Sequence, residues 1–343
     1  MKYVIPLTTL AAGLAGVQAA FNIDSSNNLV MYWGQSSAGS EQTLGEYCQE
    51  TAGDVYILSF IYEFGTGSST PILNIGDCSE TYSGTSILNC PDIATDIQTC
   101  QSLGKIVLVS LGGASGAYGF SSDAQAQSTA DDLWNMYGGG SSDTRPFGDA
   151  IVDGFDLDIE NNEPDYYPAL VTQLRSYFSG ASKDYYITAA PQCPYPDASI
   201  GPTLSSSEID MIWIQFYNNY CDLSGGEFNW DTWQTFAEQT SPNPDIKMYV
   251  GLPGGPTAAG SGYVDPSVVQ TTLEGISSSN FGGIMLWDAS QGFSNEVDGT
   301  TYAQSMQNIL DGLSSSATSN NKVQGSLQNK PSTLVTYAAA PTN

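Results

Sequence analysis

Four carboxylates lie in one short segment that begins at Val152 and reads Val-Asp-Gly-Phe-Asp-Leu-Asp-Ile-Glu. Alternate residues of a β-strand share a face, so Asp156, Asp158 and Glu160 point to one side and the apolar residues between them to the other. Crowded carboxylates cannot all ionise freely, which raises a pKa as a general acid needs. Asp153 has the opposite parity, which indicates a structural role. The segment is therefore predicted to be catalytic.

Two other interpretations of this segment are weaker. A solvated acidic face is disfavoured because the residues between the acids are strongly apolar, so the strand is buried on that side. A calcium-binding loop is disfavoured because such loops are rich in turns, with Asp, Asn and Gly interleaved, whereas Phe-Asp-Leu-Asp-Ile is strand-like.

The composition limits the chemistry that the chain can perform. It has 343 residues and no histidine, which excludes Ser-His-Asp and Cys-His catalysis and histidine-ligated metals. Acid–base chemistry must then rest on Asp, Glu or Tyr. The 36 acidic and 8 basic residues give a net charge of −28, which disfavours nucleic acid and anionic membranes as partners. A neutral or cationic polymer remains possible, and we expect no metal and no cofactor.

The two ends of the chain differ in composition from the middle. Residues 1–19 resemble a secretory signal peptide, with Lys2, an apolar stretch and a small-residue cleavage site; the run is too short for a membrane anchor. Residues 314–343 are rich in Ser and Thr and are predicted to form a disordered or O-glycosylated tail. Six cysteines in an exported chain favour disulfides, although the residues alone allow 15 connectivities; a zinc site is weaker because no C-x-x-C pair occurs.

Eight short β-branched or aromatic runs recur along the chain, and most are separated by segments that can form a helix. This alternation predicts an α/β fold, a (β/α)₈ barrel, over residues 20–313. An open doubly wound sheet is the alternative, but the first run ends in Gly34-Gln35-Ser36, which is not a phosphate-binding loop. In a barrel, the acids at the end of the fourth run lie at the C-terminal mouth, where active sites form. The runs are Leu29–Gly34, Val55–Ile61, Ile106–Leu111, Gly154–Ile159, Tyr186–Ala190, Met211–Phe216, Lys247–Leu252 and Gly283–Trp287.

The pattern Asp153, Asp156, Asp158, Glu160 is the D-x-x-D-x-D-x-E signature of glycoside hydrolase family 18. Five further blocks match the family in order: Met-Tyr-Trp-Gly-Gln, Ser-Leu-Gly-Gly, Thr-Ala-Ala-Pro-Gln-Cys-Pro, Gln-Phe-Tyr-Asn-Asn and Gly-Gly-Ile-Met-Leu-Trp. The sequence resembles the plant class III chitinases and their fungal endochitinase relatives over almost all of its barrel region. The resemblance implies a secreted, monomeric, endo-acting chitinase on β-1,4-linked N-acetylglucosamine, extracellular or in the cell wall.

The resemblance also implies a mechanism that retains the anomeric configuration. Glu160 would protonate the leaving oxygen, and the substrate's acetamido group would attack the anomeric carbon to form an oxazolinium ion. Asp158 and Tyr217 would hold that group, and Asp156, hydrogen-bonded by Ser110, would exchange a proton with Asp158. Spacing alone leaves Asp158 open as a carboxylate nucleophile. The residues expected to bind substrate are Tyr32, Gln35, Phe60, Gly112, Gln192, Gln215, Asn218 and Trp287.

Three structural details follow from the same resemblance. The disulfides are expected to be Cys48–Cys100, Cys78–Cys90 and Cys193–Cys221, and the peptide bonds Ser59–Phe60 and Trp287–Asp288 are expected to be cis. Two alternative functions stay open. One is an endo-β-N-acetylglucosaminidase acting on N-glycans or peptidoglycan, and the other is a non-catalytic lectin or hydrolase inhibitor.

Overall fold

The computed structural model describes residues 20–328, and their side chains as far as residue 315. The predicted signal peptide, residues 1–19, lies outside the described residues. The strands are β1 (Asn28–Trp33), β2 (Val55–Glu63), β3 (Ile72–Leu73), β4 (Ile106–Gly113), β5 (Gly154–Ile159), β6 (Tyr186–Ala189), β7 (Met211–Gln215), β8 (Lys247–Pro253), β9 (Phe281–Trp287), β10 (Glu296–Val297) and β11 (Thr300–Thr301). The helices are α1 (Leu44–Gln49), α2 (Pro91–Ser102), α3 (Asp123–Met136), α4 (Tyr167–Phe178), α5 (Gly201–Leu204), α6 (Trp230–Gln239), α7 (Pro266–Glu274), α8 (Ala289–Ser294) and α9 (Tyr302–Gln328).

Eight parallel strands close into a barrel. Their order is β1-β9-β8-β7-β6-β5-β4-β2, and a parallel β1–β2 pairing completes the ring. Each of the eight predicted runs forms one of these strands, so the predicted (β/α)₈ barrel is confirmed. The short strand β3 pairs antiparallel with β2, and β10 and β11 form a separate hairpin.

Strand parity divides the core into two layers. On β5, Phe155, Leu157 and Ile159 pack outwards into the large apolar layer between the strands and the helices. A smaller cluster fills the barrel interior and includes Val30, Ile57 and Trp213. Asp156 lies among these interior residues and is fully buried. The alternation in the sequence thus places carboxylates inside the barrel, as predicted.

Disulfides join the loops as the resemblance implies. Cys48–Cys100 links α1 to α2, Cys78–Cys90 closes the loop that follows β3, and Cys193–Cys221 joins the loops after β6 and β7. The expected cis peptide bonds at Ser59–Phe60 and Trp287–Asp288 are both present. A third cis bond, Tyr195–Pro196, is an addition that the sequence did not indicate.

The last helix, α9, continues past Leu313 to Gln328. Ser, Thr and Asn lower helix propensity only modestly, and no proline occurs in this stretch to stop a helix that has already formed. The disordered or O-glycosylated tail expected over residues 314–343 stays a prediction. Residues 329–343 lie outside the described part. Over the described residues, no helix is long and apolar enough to cross a bilayer.

Candidate active site

The three catalytic candidates lie at the C-terminal end of β5, inside the mouth of the barrel. The ladders set their depth: Asp156 is paired with Ser110 of β4 and Thr188 of β6, and Asp158 with Gly112 of β4. Asp156 is fully buried and Asp158 is 4% exposed, whereas Glu160 follows the strand and is partly exposed. The carboxylates therefore form a column from the barrel interior to the cleft.

Asp156, the deepest acid, accepts four hydrogen bonds. Its Oδ2 accepts from Ser110 Oγ at 2.6 Å and from Tyr32 Oη at 2.8 Å. Its Oδ1 accepts from Thr188 Oγ1 at 2.6 Å and from Trp213 Nε1 at 2.8 Å. Burial raises the pKa of Asp156, and these four donors oppose that shift. A carboxylate can accept at about four lone-pair positions, so the donor set suits the ionised form.

The pKa values of the Asp158 and Glu160 carboxyl groups are both raised. Burial raises the pKa of Asp158 well above its ordinary value, and the nearby Glu160 and Asp156 charges add to the shift. Hydrogen bonding between the two carboxyl groups raises the pKa of Asp158 further and opposes the rise at Glu160, so Asp158 is the more readily protonated of the two. Gln215 Nε2 donates to Asp158 Oδ1 at 3.1 Å and so fixes the plane of that carboxyl group.

Burial raises the pKa of Glu160, as a general acid needs. Gln192 Nε2 donates to Glu160 Oε2 at 3.3 Å, which opposes the shift, while the charge of Asp197 adds to it. Asn219 Nδ2 in turn donates to Gln192 Oε1 at 3.2 Å. Transfer of a proton from Asp158 to Glu160 would allow Glu160 to act as the general acid.

The carboxylates open onto a cleft of about 320 Å³ lined by aromatic and small residues. The indole of Trp287 stacks on Phe60, with ring centroids 5.8 Å apart, and lies 5.5 Å from the ring of Tyr32. Tyr217, 7% exposed, faces the Asp158 and Glu160 charges, and burial raises its pKa well above the ordinary value. The lining residues are Tyr32, Gln35, Phe60, Ala114, Ser115, Asp158, Glu160, Gln215, Tyr217, Asn218, Ala258 and Trp287.

Several residues predicted to bind substrate make other contacts. The hydroxyl of Tyr32 is used by Asp156, so its ring face is the part that lines the cleft. Gln35 Nε2 donates to Ser59 O at 2.7 Å and anchors the loop after β1. Asn218 Oδ1 accepts from the backbone of Gly260 at 2.7 Å, which clamps the loop after β8 over the cleft.

Gly112 also has a role that differs from substrate binding. Its φ is +107°, and a Cβ atom there would lie 2.2 Å from the backbone oxygen of Asp158. Glycine at this position therefore lets β4 and β5 approach each other beside the acids.

Sequence reasoning missed two residues that support Glu160. Asp197 accepts from the backbone of Gln192 at 2.9 Å, as well as from Ser199 and Ile200. Tyr118 accepts a hydrogen bond from the backbone of Glu160 at 3.1 Å. Asp197 and Tyr118 both lie in loops that follow strands, and the sequence of a loop has no periodic pattern that predicts the direction of a side chain.

A second cavity, of about 490 Å³, lies beyond the loop after β1. Its lining includes Trp33, Glu41 and Asp77 but none of the three acids of β5. We place the chemistry in the smaller cleft because, of these two cavities, it is the one lined by Asp158 and Glu160. Within residues 20–328, no group of three or more acidic or cysteine side chains is arranged to hold a metal ion.

A parallel (β/α)₈ barrel with a carboxylate column and an aromatic cleft at its mouth is the architecture of a glycoside hydrolase. The family model for "Glycosyl hydrolases family 18" matches residues 28–260, and the chain belongs to this family.

Named relatives agree with this assignment. The chain is 52% identical over 303 residues to an endochitinase of Saccharomyces cerevisiae, covering 87% of this chain and 53% of the relative. The chain thus spans about half the length of the first curated relatives it matches.

Two solved structures share this fold, one of a chitinase and the other of an inhibitor protein. ICChI chitinase from Ipomoea carnea is 31% identical with a TM-score of 0.70, over 82% of this chain and 99% of that chain. A xylanase and α-amylase inhibitor protein from Scadoxus multiflorus is 33% identical with a TM-score of 0.69, over 83% of this chain and 98% of that one.

Proposed function

We propose that this protein is a secreted, endo-acting chitinase that hydrolyses β-1,4-linked N-acetylglucosamine with retention of configuration. The observation that carries the proposal is that the carboxyl groups of Asp158 and Glu160 line one open cleft together with Tyr217. Cleavage of a glycosidic bond needs an acid that protonates the leaving oxygen, and this pair supplies one beside the aromatic residues of the cleft.

The first half-reaction breaks the glycosidic bond. A proton moves from Asp158 to Glu160 and then to the leaving oxygen, while the acetamido oxygen of the sugar attacks the anomeric carbon. Asp158, freed from Glu160, would accept the acetamido N–H and offset the developing positive charge. The Tyr217 hydroxyl would hold the acetamido oxygen in line for attack, which removes much of the entropic cost. Trp287 would stack beneath the ring.

The second half-reaction returns the site to its starting state. Glu160 takes a proton from water, and the oxygen of that water bonds to the anomeric carbon as the oxazolinium ring opens. The proton then passes from Glu160 back to Asp158. In this scheme Asp156, held by its four donors, stays ionised below Asp158 and does not exchange a proton with it as the resemblance implies. Every step uses groups of the chain, the substrate and one water molecule.

The likeness to an inhibitor protein makes a non-catalytic role the second candidate. A binder needs no acid and often fills the cleft. Here Ala114, Ser115 and Ala258 leave the cleft open, and Asp156, Asp158 and Glu160 are all present. We therefore favour the enzyme. An endo-β-N-acetylglucosaminidase would use the same acids and differs in the chain that it accepts.

The rest of the proposal concerns the setting of the enzyme. Three disulfides and the signal-like residues 1–19 support secretion into the extracellular space or cell wall. The net charge of −28 supports an uncharged or cationic polymer as partner rather than nucleic acid or an anionic membrane. We propose a monomer with residues 20–313 as the catalytic domain.

The test compares wild-type protein with Glu160→Gln on chitin hexasaccharide. Glutamine keeps the shape but donates no acidic proton, so activity should fall by about 10²–10⁴-fold. Glu163→Gln is the matched control, because Glu163 lies three residues further along the chain and is exposed. This variant should keep full activity. Near-normal activity of the Glu160 variant, or a wild type that binds chitin oligosaccharides without cleaving them, would contradict the proposal.

A further inference from the structure

Tyr118 connects the end of β4 to the residue that carries the catalytic acid. Its hydroxyl donates to Gly113 O at 2.6 Å and accepts from the backbone N–H of Glu160 at 3.1 Å. Its own backbone oxygen accepts from Asn161 Nδ2 at 2.9 Å. One residue of the loop after β4 thus binds both residues that follow β5.

The direction of these hydrogen bonds is fixed by chemistry. A backbone N–H can only donate, so the Tyr118 oxygen must accept from Glu160 and turn its own proton towards Gly113 O. Burial raises the pKa of Tyr118 to about 12, so the hydroxyl keeps its proton at any pH where a carboxylic acid works. The bridge is therefore intact through the whole working range.

Glu160 needs this partner because it lies just beyond the strand. The β4–β5 ladder ends at the Gly113–Ile159 pair, and Glu160 is the next residue. An N–H left without a partner at a partly buried strand end costs free energy and lets the backbone shift towards other acceptors. The side chain of Glu160 is held separately, by Gln192 and Asp158.

Tyr118 itself is held firmly and does not line the cleft. It is 5% exposed, and its ring stacks on Phe64 with centroids 5.2 Å apart and planes 16° apart. Tyr118 therefore acts on the acid through the backbone of Glu160 and does not contact the substrate.

We propose that Tyr118 is a positioning residue for the reaction: its hydroxyl bridges Gly113 and the Glu160 backbone and so sets the height of the acid beside the leaving oxygen. This inference rests on the proposed function. Tyr118 is not part of the D-x-x-D-x-D-x-E segment, because it lies in the loop after β4.

The test is Tyr118→Phe, which removes the hydroxyl and leaves the ring. If the acid is displaced, the rate should fall most for substrates whose leaving group must be protonated before it departs. We expect kcat on chitin hexasaccharide to fall by about 10- to 100-fold, the scale of a misplacement near 1 Å. The kcat on 2,4-dinitrophenyl chitobioside, whose leaving group departs without a proton, should stay near wild type, and KM should be little changed on both.

Tyr56→Phe is the matched control for a purely structural effect. The Tyr56 hydroxyl is fully buried and bonds to Tyr47 O at 2.8 Å and Ala52 O at 3.3 Å, with no contact to the acids of β5. It should lower the melting temperature about as much as Tyr118→Phe does, without changing the ratio of the two activities.

Each outcome decides the proposal. A selective loss on the hexasaccharide supports it, while equal losses on both substrates, or no loss, overturn it. Wild-type turnover of both substrates tests the proposed function separately. A wild type that cleaves neither would refute that function and this inference together, whereas a wild type that cleaves both and a variant without selectivity would refute this inference alone.

Discussion

Replacing Thr188 with valine removes one donor from Asp156 and changes almost nothing else. Thr188 Oγ1 lies 2.6 Å from Asp156 Oδ1, and both side chains are fully buried. Valine has nearly the volume of threonine, so no cavity is created. The substitution isolates a single hydrogen bond to a buried carboxylate.

The expected loss of stability is large for one hydroxyl. A hydrogen bond to a charged group contributes about 1.5–3 kcal/mol, and the Asp156 carboxylate cannot turn to solvent for a replacement. We therefore expect the free energy of unfolding at pH 7 to fall by about 1.5–3 kcal/mol. Loss of a donor also raises the pKa of Asp156 further, so the charge below Asp158 is weakened and kcat should fall as well.

Thr203 provides a control with the same chemical change. Thr203 is also fully buried, but its Oγ1 has no hydrogen-bond partner within the described part of the chain. Thr203→Val removes a buried unsatisfied hydroxyl, so it should leave stability unchanged or raise it. Both variants are compared with wild type by urea unfolding at pH 7, with activity measured on the same samples.

Of the two valine variants, only Thr188→Val is predicted to lower the free energy of unfolding. If Thr188→Val destabilises the protein no more than Thr203→Val does, Asp156 does not depend on its donors, and the account of the buried carboxylate is refuted.

Two further predictions concern Glu41 and Tyr217. Burial and the charge of Asp288 raise the pKa of Glu41 to about 7. A pKa raised by folding stabilises the fold below the unfolded value of about 4.3, and this contribution is lost as pH rises through the folded value. The melting temperature of Glu41→Gln should therefore fall less than that of wild type between pH 4.5 and 8, and parallel curves would contradict the assignment. Tyr217→Phe should cost about 1–3 kcal/mol of transition-state stabilisation, measured as kcat/KM, and should weaken binding of a thiazoline mimic; unchanged binding of that mimic would argue against Tyr217 as the acetamido donor.

The barrel and its acid column could be predicted because they depend on strand periodicity. Alternation along β5 places Phe155 and Leu157 outside and Asp156 and Asp158 inside, whatever the neighbouring elements are. The opposite parity of Asp153 likewise predicts its structural role. It pairs with Lys183 at 2.6 Å on the outer side of the barrel.

The support around the acids could not be read in the same way. Tyr118 and Asp197 lie in loops, and their contacts to Glu160 and Gln192 depend on how two loops meet in space. The role of Gly112 follows from a backbone approach between strands, which a substrate-binding prediction does not consider.

The central claim is that the substrate's own acetamido group is the nucleophile, held by Asp158 while Glu160 protonates the leaving oxygen. Proton NMR of the first products from chitin hexasaccharide tests it most directly, with fully deacetylated glucosamine hexasaccharide as the paired substrate. The account predicts that the β-anomer appears first and that the deacetylated chain is not cleaved. Initial release of the α-anomer, or cleavage of the deacetylated chain at a similar rate, would contradict it.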